Sequence, residues 1–82
     1  MIIEIQESAK KDLKSIDKTK ALKILKQIKN LEDFPHISNI KQSSSFYPPF
    51  RYRIGDYRVL FDVVDDTLIV INIKHRSKAY KK

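Results

Sequence analysis

The chain has no cysteine and a single glycine among its 82 residues. The first absence excludes a disulfide framework and any thiolate-held metal. The second excludes a glycine-rich phosphate loop, whose backbone needs several glycines to wrap an anion. His36 and His75 are too few and too isolated to point to a zinc site, and no HExxH or Ser-His-Asp pattern is present. No apolar run approaches the roughly 20 residues that span a bilayer. Met1-Ile2-Ile3-Glu4-Ile5 meets a charge too early to be a targeting segment. These absences predict a cytoplasmic protein with no metal, no cofactor and no membrane partner.

Acidic residues are also scarce, with 10 Asp and Glu against 17 Lys and Arg, a net charge of +7. Taken by itself, that balance favours nucleic acid, an acidic protein or an anionic membrane surface as partner, and charge alone does not choose among them. A chain of this length is one domain, 1–82, too small to enclose a roomy buried active site, so its chemistry belongs on an open surface. The cations are sorted by type. Eight of thirteen lysines lie between 10 and 29, whereas all four arginines fall between 51 and 76. Lysines on a helix mostly keep one face wet, while the rigid fork of arginine matches phosphate oxygens two at a time. Lys20, Lys23 and Lys26 therefore read first as a solvated helix face that adds long-range attraction for RNA, and the site belongs to the second half.

The spacing predicts an α+β fold. An N-terminal strand is followed by a helical hairpin and then a three-strand antiparallel meander, with the helices packed on one face of the sheet. Ser8 is the expected N-cap of a first helix with Ala9, Leu13 and Ile16 inward; Asp17 caps a second carrying Ala21, Ile24, Leu25, Ile28 and Leu31 on one side. That helix should end near Asp33, because Pro35 pushes Phe34 out of the helical region. Residues 35–49 read as a loop with a brief extended piece around Phe46 and Tyr47. Strands are expected at about 50–54, 57–64 and 68–75.

Gly55-Asp56 reads as a two-residue type II′ hairpin loop, which sets Arg53 directly across from Arg58 with Arg51 on the same face. Like charges placed opposite each other weaken a sheet, and Asp56 and Asp62 are the only nearby acids. A polyanion filling the gap accounts for the crowding. The next turn, near Asp65-Asp66-Thr67, controls which residues share a face. A three-residue loop or bulge there gathers Tyr52, Ile54, Tyr57, Val59, Phe61, Val63, Ile69, Ile71 and Ile73 toward the helices. It leaves Arg51, Arg53, Arg58, Lys74 and Arg76 on an open face, with Lys78 just beyond. His75 then points with Ile73, as a partly buried structural histidine or an accessory group of the site. Tyr80 can pack on the sheet, accept a proton beside the cations, or stack on a base.

The run Arg51-Tyr52-Arg53-Ile54-Gly55-Asp56-Tyr57-Arg58-Val59, an acidic turn, an Ile/Val-rich strand and a closing His75-Arg76-x-x-x-Tyr80 resemble the RelE family of bacterial type II toxins. The resemblance extends in layout over nearly the whole chain. It implies a metal-independent endoribonuclease that cuts mRNA in the ribosomal A site by attack of the ribose 2′-hydroxyl and so inhibits translation. The implied partners are the ribosome, mRNA and a cognate acidic, RelB-like antitoxin. The implied catalytic residues are Arg51, Arg53, Arg58, Arg76 and Tyr80; the charge pattern adds Lys20, Lys23, Lys26, Lys74 and Lys78 as expected RNA or ribosome contacts. The family often carries lysine where this chain has Arg51 and Arg53, and arginine is a poor proton donor. Two alternatives stay open: a ParE-like toxin that inhibits DNA gyrase without nuclease activity, and a degenerate member that only binds an antitoxin.

Overall fold

The computed structural model describes residues 1–79. Strand β1 (Ile2–Ile5) leads into helices α1 (Glu7–Lys14) and α2 (Lys18–Ile28); a 3₁₀ turn, Lys29–Asp33, ends the hairpin. Strands β2 (Ile40–Gln42), β3 (Phe50–Ile54), β4 (Tyr57–Val64) and β5 (Thr67–His75) follow. They make one five-stranded sheet in the order β1-β5-β4-β3-β2. The expected three-strand meander is its centre, β1 joins β5 in parallel at one edge, and β2 joins β3 antiparallel at the other. The brief extended segment of the long loop is Ile40–Gln42 rather than Phe46-Tyr47. Ile40 alternates onto the core face opposite Tyr52, and this earns the segment its place in the sheet.

Asp17 caps α2 as expected, accepting from the Lys20 backbone N–H at 3.4 Å. Ser8 does not cap α1; Gln6 occupies that position. The Ser8 hydroxyl instead donates to the Ile71 carbonyl, while the Asp12 carboxylate accepts from the Ile73 backbone N–H at 2.8 Å and the Asn72 amide at 3.2 Å. The reason is geometric. β1 pairs with β5 only as far as Val70, so the backbone groups beyond it need other partners, and one face of α1 supplies them.

The core joins Ala9, Ile24, Ile28 and Leu31 of the helical hairpin to Tyr52, Ile54, Val59, Phe61, Leu68, Val70 and Ile73 of the sheet. Leu25, expected among them, is 40% exposed and Leu22 is 58% exposed, because α2 turns the narrower Ile24–Ile28 stripe inward. On β5 the expected pattern also needs correction. Ile69 and Ile71 are half-buried, and Leu68 and Val70 fill the core in their place. The β4–β5 loop has two residues, Asp65 and Asp66, with Val64 opposite Thr67. The extra residue sits inside the ladder: Leu60 opposes Asn72 while Phe61 opposes Val70, so Ile71 is bulged out. That bulge exchanges the faces once along β5. Leu68 and Val70 then face the helices before it, and Ile73 after it.

Candidate phosphate-binding cleft

The β3–β4 loop forms as expected from its residues. Gly55 has φ +57° and Asp56 does not share a positive φ, the pattern of a type II′ turn. Its register sets Arg53 opposite Arg58 and Arg51 opposite Leu60. Tyr52, Ile54, Tyr57 and Val59 belong to the core and its margin, so strand alternation sends the three arginines to the face away from the helices. There Arg51, Arg53 and Arg58 line a cleft of about 240 Å³ together with Asn39, Ile40 and Lys41. Lys41 lies opposite Arg51 across the β2–β3 ladder. Two like-charged cross-strand pairs thus sit side by side.

The arginines are held in different ways. Arg53 is exposed and donates to the Asn39 side-chain oxygen at 3.4 Å. The Arg58 guanidinium donates to the Gly55 and Tyr57 carbonyls at 2.9 and 3.0 Å. These acceptors are neutral, and among the described residues neither guanidinium is paired with a carboxylate. Asp56 turns to Arg76, 3.7 Å away, and Asp62 accepts from the Val63 backbone N–H. Arg51 does not lie open as expected. It is 4% exposed, with its guanidinium carbon 4.8 Å above the Phe46 ring, because the loop after β2 carries Phe46 back over that part of the sheet.

Arg76, the residue after β5, joins the same hairpin tip: its backbone N–H donates to the Asp56 carbonyl at 2.7 Å. Lys74 stands opposite Arg58 in the ladder, and its ammonium is 3.3 Å from Asp12. His75 is exposed rather than partly buried, since it lies opposite Tyr57 at the open end of the sheet. The two rings meet edge to face at 5.6 Å. The Ser77 backbone N–H donates to His75 Nδ1 at 3.2 Å, and the Ser77 hydroxyl lies 3.0 Å from the same nitrogen. Lys78 is exposed. Tyr80 lies outside the described residues.

Lys20, Lys23 and Lys26 are exposed on α2, on the helical side of the sheet and apart from the arginine cleft. Lys20 and Lys23 rim a separate hollow of about 150 Å³ floored by Ile24, Ile54 and Tyr57. The cleft also contains three residues that the sequence reading did not single out, Asn39, Ile40 and Lys41. The available signal was the alternation Asn39-Ile40-Lys41, which reads as a short strand only once a neighbour is known.

A family model described as the ParE toxin of type II toxin–antitoxin systems, parDE, matches residues 3–80. No curated protein sequence matches the chain. Among solved structures, the RelBE2 toxin–antitoxin complex from Mycobacterium tuberculosis is similar at 20% identity and a TM-score of 0.77, covering 94% of this chain and 92% of that one. The archaeal RelE–RelB complex from Pyrococcus horikoshii matches at 24% identity and 0.71, covering 95% and 97%. The isolated Escherichia coli RelE toxin matches at 18% identity and 0.70, covering 90% and 82%. At these identities the structures establish a shared fold, and the family model spanning nearly the whole sequence establishes kinship: the chain belongs to the ParE toxin family of type II toxin–antitoxin systems, within the RelE/ParE superfamily.

Proposed function

We propose that this toxin inhibits translation as a metal-independent endoribonuclease, cutting mRNA in the ribosomal A site. The observation that carries this reading is the Arg53–Arg58 cross-strand pair, two guanidinium groups held by neutral oxygens in one cleft. In the reaction the ribose 2′-oxygen forms a bond to the adjacent phosphorus and the bond to the 5′-oxygen breaks, leaving a 2′,3′-cyclic phosphate and a 5′-hydroxyl. The 2′-hydroxyl gives up a proton and the leaving oxygen takes one. The phosphorane between them carries an added negative charge, which preorganised cationic donors stabilise in proportion to how little they must move. Arg53 and Arg58 suit this role, Arg76 reaches the same hairpin tip, and Lys41, Lys74 and Lys78 would guide the chain.

Proton transfer needs another group, because arginine keeps its proton at neutral pH. Tyr80 and His75, in the closing segment that carries the resemblance, are assigned that role, with Lys41 of the cleft as a further proton donor. Expression of the protein in bacteria followed by primer extension on a reporter transcript tests the reading. Cuts within the coding region are expected, and they vanish when translation initiation of that transcript is blocked. Intact mRNA would overturn it.

Inhibition of DNA gyrase by binding is the second reading. It is favoured by the composition of the cleft, whose described side chains are arginine, lysine, asparagine and isoleucine, with Lys41 the one group among them able to give up a proton. Accumulation of gyrase–DNA complexes with intact mRNA identifies it. Under either reading the natural inhibitor is a cognate acidic antitoxin. The M. tuberculosis and P. horikoshii relatives are complexes with antitoxins, and a disordered acidic segment folding onto a +7 protein gains both speed and charge pairing.

A further inference from the structure

We infer that Asn39 is a positioning residue for Arg53: it aims the guanidinium into the cleft while leaving its charge available to phosphate. This rests on the cleft being a phosphate-binding site. Asn39 holds Arg53 at both ends. Its backbone carbonyl accepts from the Arg53 N–H at 2.9 Å, and its side-chain oxygen accepts from the guanidinium at 3.4 Å. To do both it adopts φ +67°, in the left-handed region, where asparagine is among the few side chains readily accommodated. The residue precedes β2 and lines the cleft.

The neutrality of the amide matters. Arg53 faces Arg58 directly across the ladder, and repulsion between them favours swinging the exposed Arg53 side chain away into water. An acceptor on the β2 side opposes that swing. A carboxylate would hold the group more firmly but would cancel the charge that a phosphate must meet. An amide oxygen orients the guanidinium without that cancellation.

Two substitutions separate this role from a purely structural one. Asn39→Gly keeps the left-handed backbone and the carbonyl but removes the side-chain acceptor. Asn39→Asp keeps an acceptor of the same shape and adds a charge. Binding of pyrophosphate and of a short single-stranded RNA is measured by NMR titration of the arginine Nε–H signals, with thermal melting as the control for folding.

Asn39→Gly is expected to weaken binding roughly threefold to tenfold, the worth of one net hydrogen bond. Asn39→Asp is expected to weaken it further, while melting no lower than the parent. In an Arg53→Ala background Asn39→Gly should have little added effect, while Asn39→Asp keeps only the part that direct repulsion of the phosphate supplies. Binding by Asn39→Asp equal to or tighter than the parent overturns the inference, as does an undiminished effect in the Arg53→Ala background. The Asp variant decides the matter even if the Gly variant fails to fold. Because pyrophosphate binding is read without ribosomes, failure of the nuclease reading in the primer-extension assay remains a separate result.

Discussion

Arg58 and Arg51 have the same side chain on the same sheet face, yet their surroundings predict opposite outcomes on truncation. Arg58 faces Arg53 and donates to two backbone carbonyls. Removing it loses those bonds but relieves the cross-strand repulsion, terms of similar size and opposite sign. Arg58→Ala should abolish toxicity while changing stability by about 1 kcal/mol or less, measured by growth on induction and by urea unfolding. Arg51 is buried against Phe46, so its truncation removes packing and a cation–π contact. Arg51→Ala should cost about 1–3 kcal/mol, and Phe46→Leu should share part of that loss. Equal stability losses for Arg51→Ala and Arg58→Ala would contradict this division between a structural and a phosphate-facing arginine.

At the scale of elements, the two tight turns and the α1–β5 junction carry the site. Gly55 has φ +57°, and a Cβ added there meets nothing within 4 Å. Gly55→Ala therefore tests backbone conformation alone. A loss of about 1–2 kcal/mol is expected, together with weakened RNA binding, because Arg58 bonds the Gly55 carbonyl and Arg76 meets the Asp56 side chain. Asp12 is the matching test at the other edge. It closes the Ile73 N–H that β1 is too short to reach, and it holds Asn72 and Lys74 as well. Asp12→Ala strands those donors, so a loss of about 1–3 kcal/mol is expected in denaturant unfolding, with faster amide exchange at Ile73.

For the molecule as a whole, the charge is distributed over two faces. Lys20, Lys23 and Lys26 lie on the helical side and the arginines on the opposite sheet face. Phosphate contact by the cleft and general attraction by the helices should then separate in the salt dependence of RNA binding. Each phosphate contact released from a single strand contributes a slope of about −0.7 in log affinity against log salt. Arg58→Ala should reduce the magnitude of the slope by about that amount, and Lys23→Ala by much less. Fluorescence anisotropy of a labelled oligonucleotide over a salt series measures both. Equal changes for the two variants would assign the helical face to the interface.

Elements whose signals are local were legible in the sequence. Asp17 capped its helix, Gly55-Asp56 formed its turn, and the Arg53–Arg58 opposition followed from the two-residue loop, since loop length sets the register of a hairpin without reference to anything else. The resemblance carried by Arg51 to Tyr80 was likewise visible before any fold. What depended on distant partners was not. Ser8 left its expected capping role because β5 offered it a carbonyl. Leu68 and Val70 displaced Ile69 and Ile71 because the bulge at Ile71 is a property of two paired strands, and hydrophobic alternation on one strand does not reveal where its ladder slips. Asn39 and Lys41 entered the cleft only because β2 pairs with β3, and Arg51 was buried only because the loop folded Phe46 over it. The sequence alone determined which cations face one another across a hairpin; pairing between distant segments decided which of them meet solvent and what holds each in place.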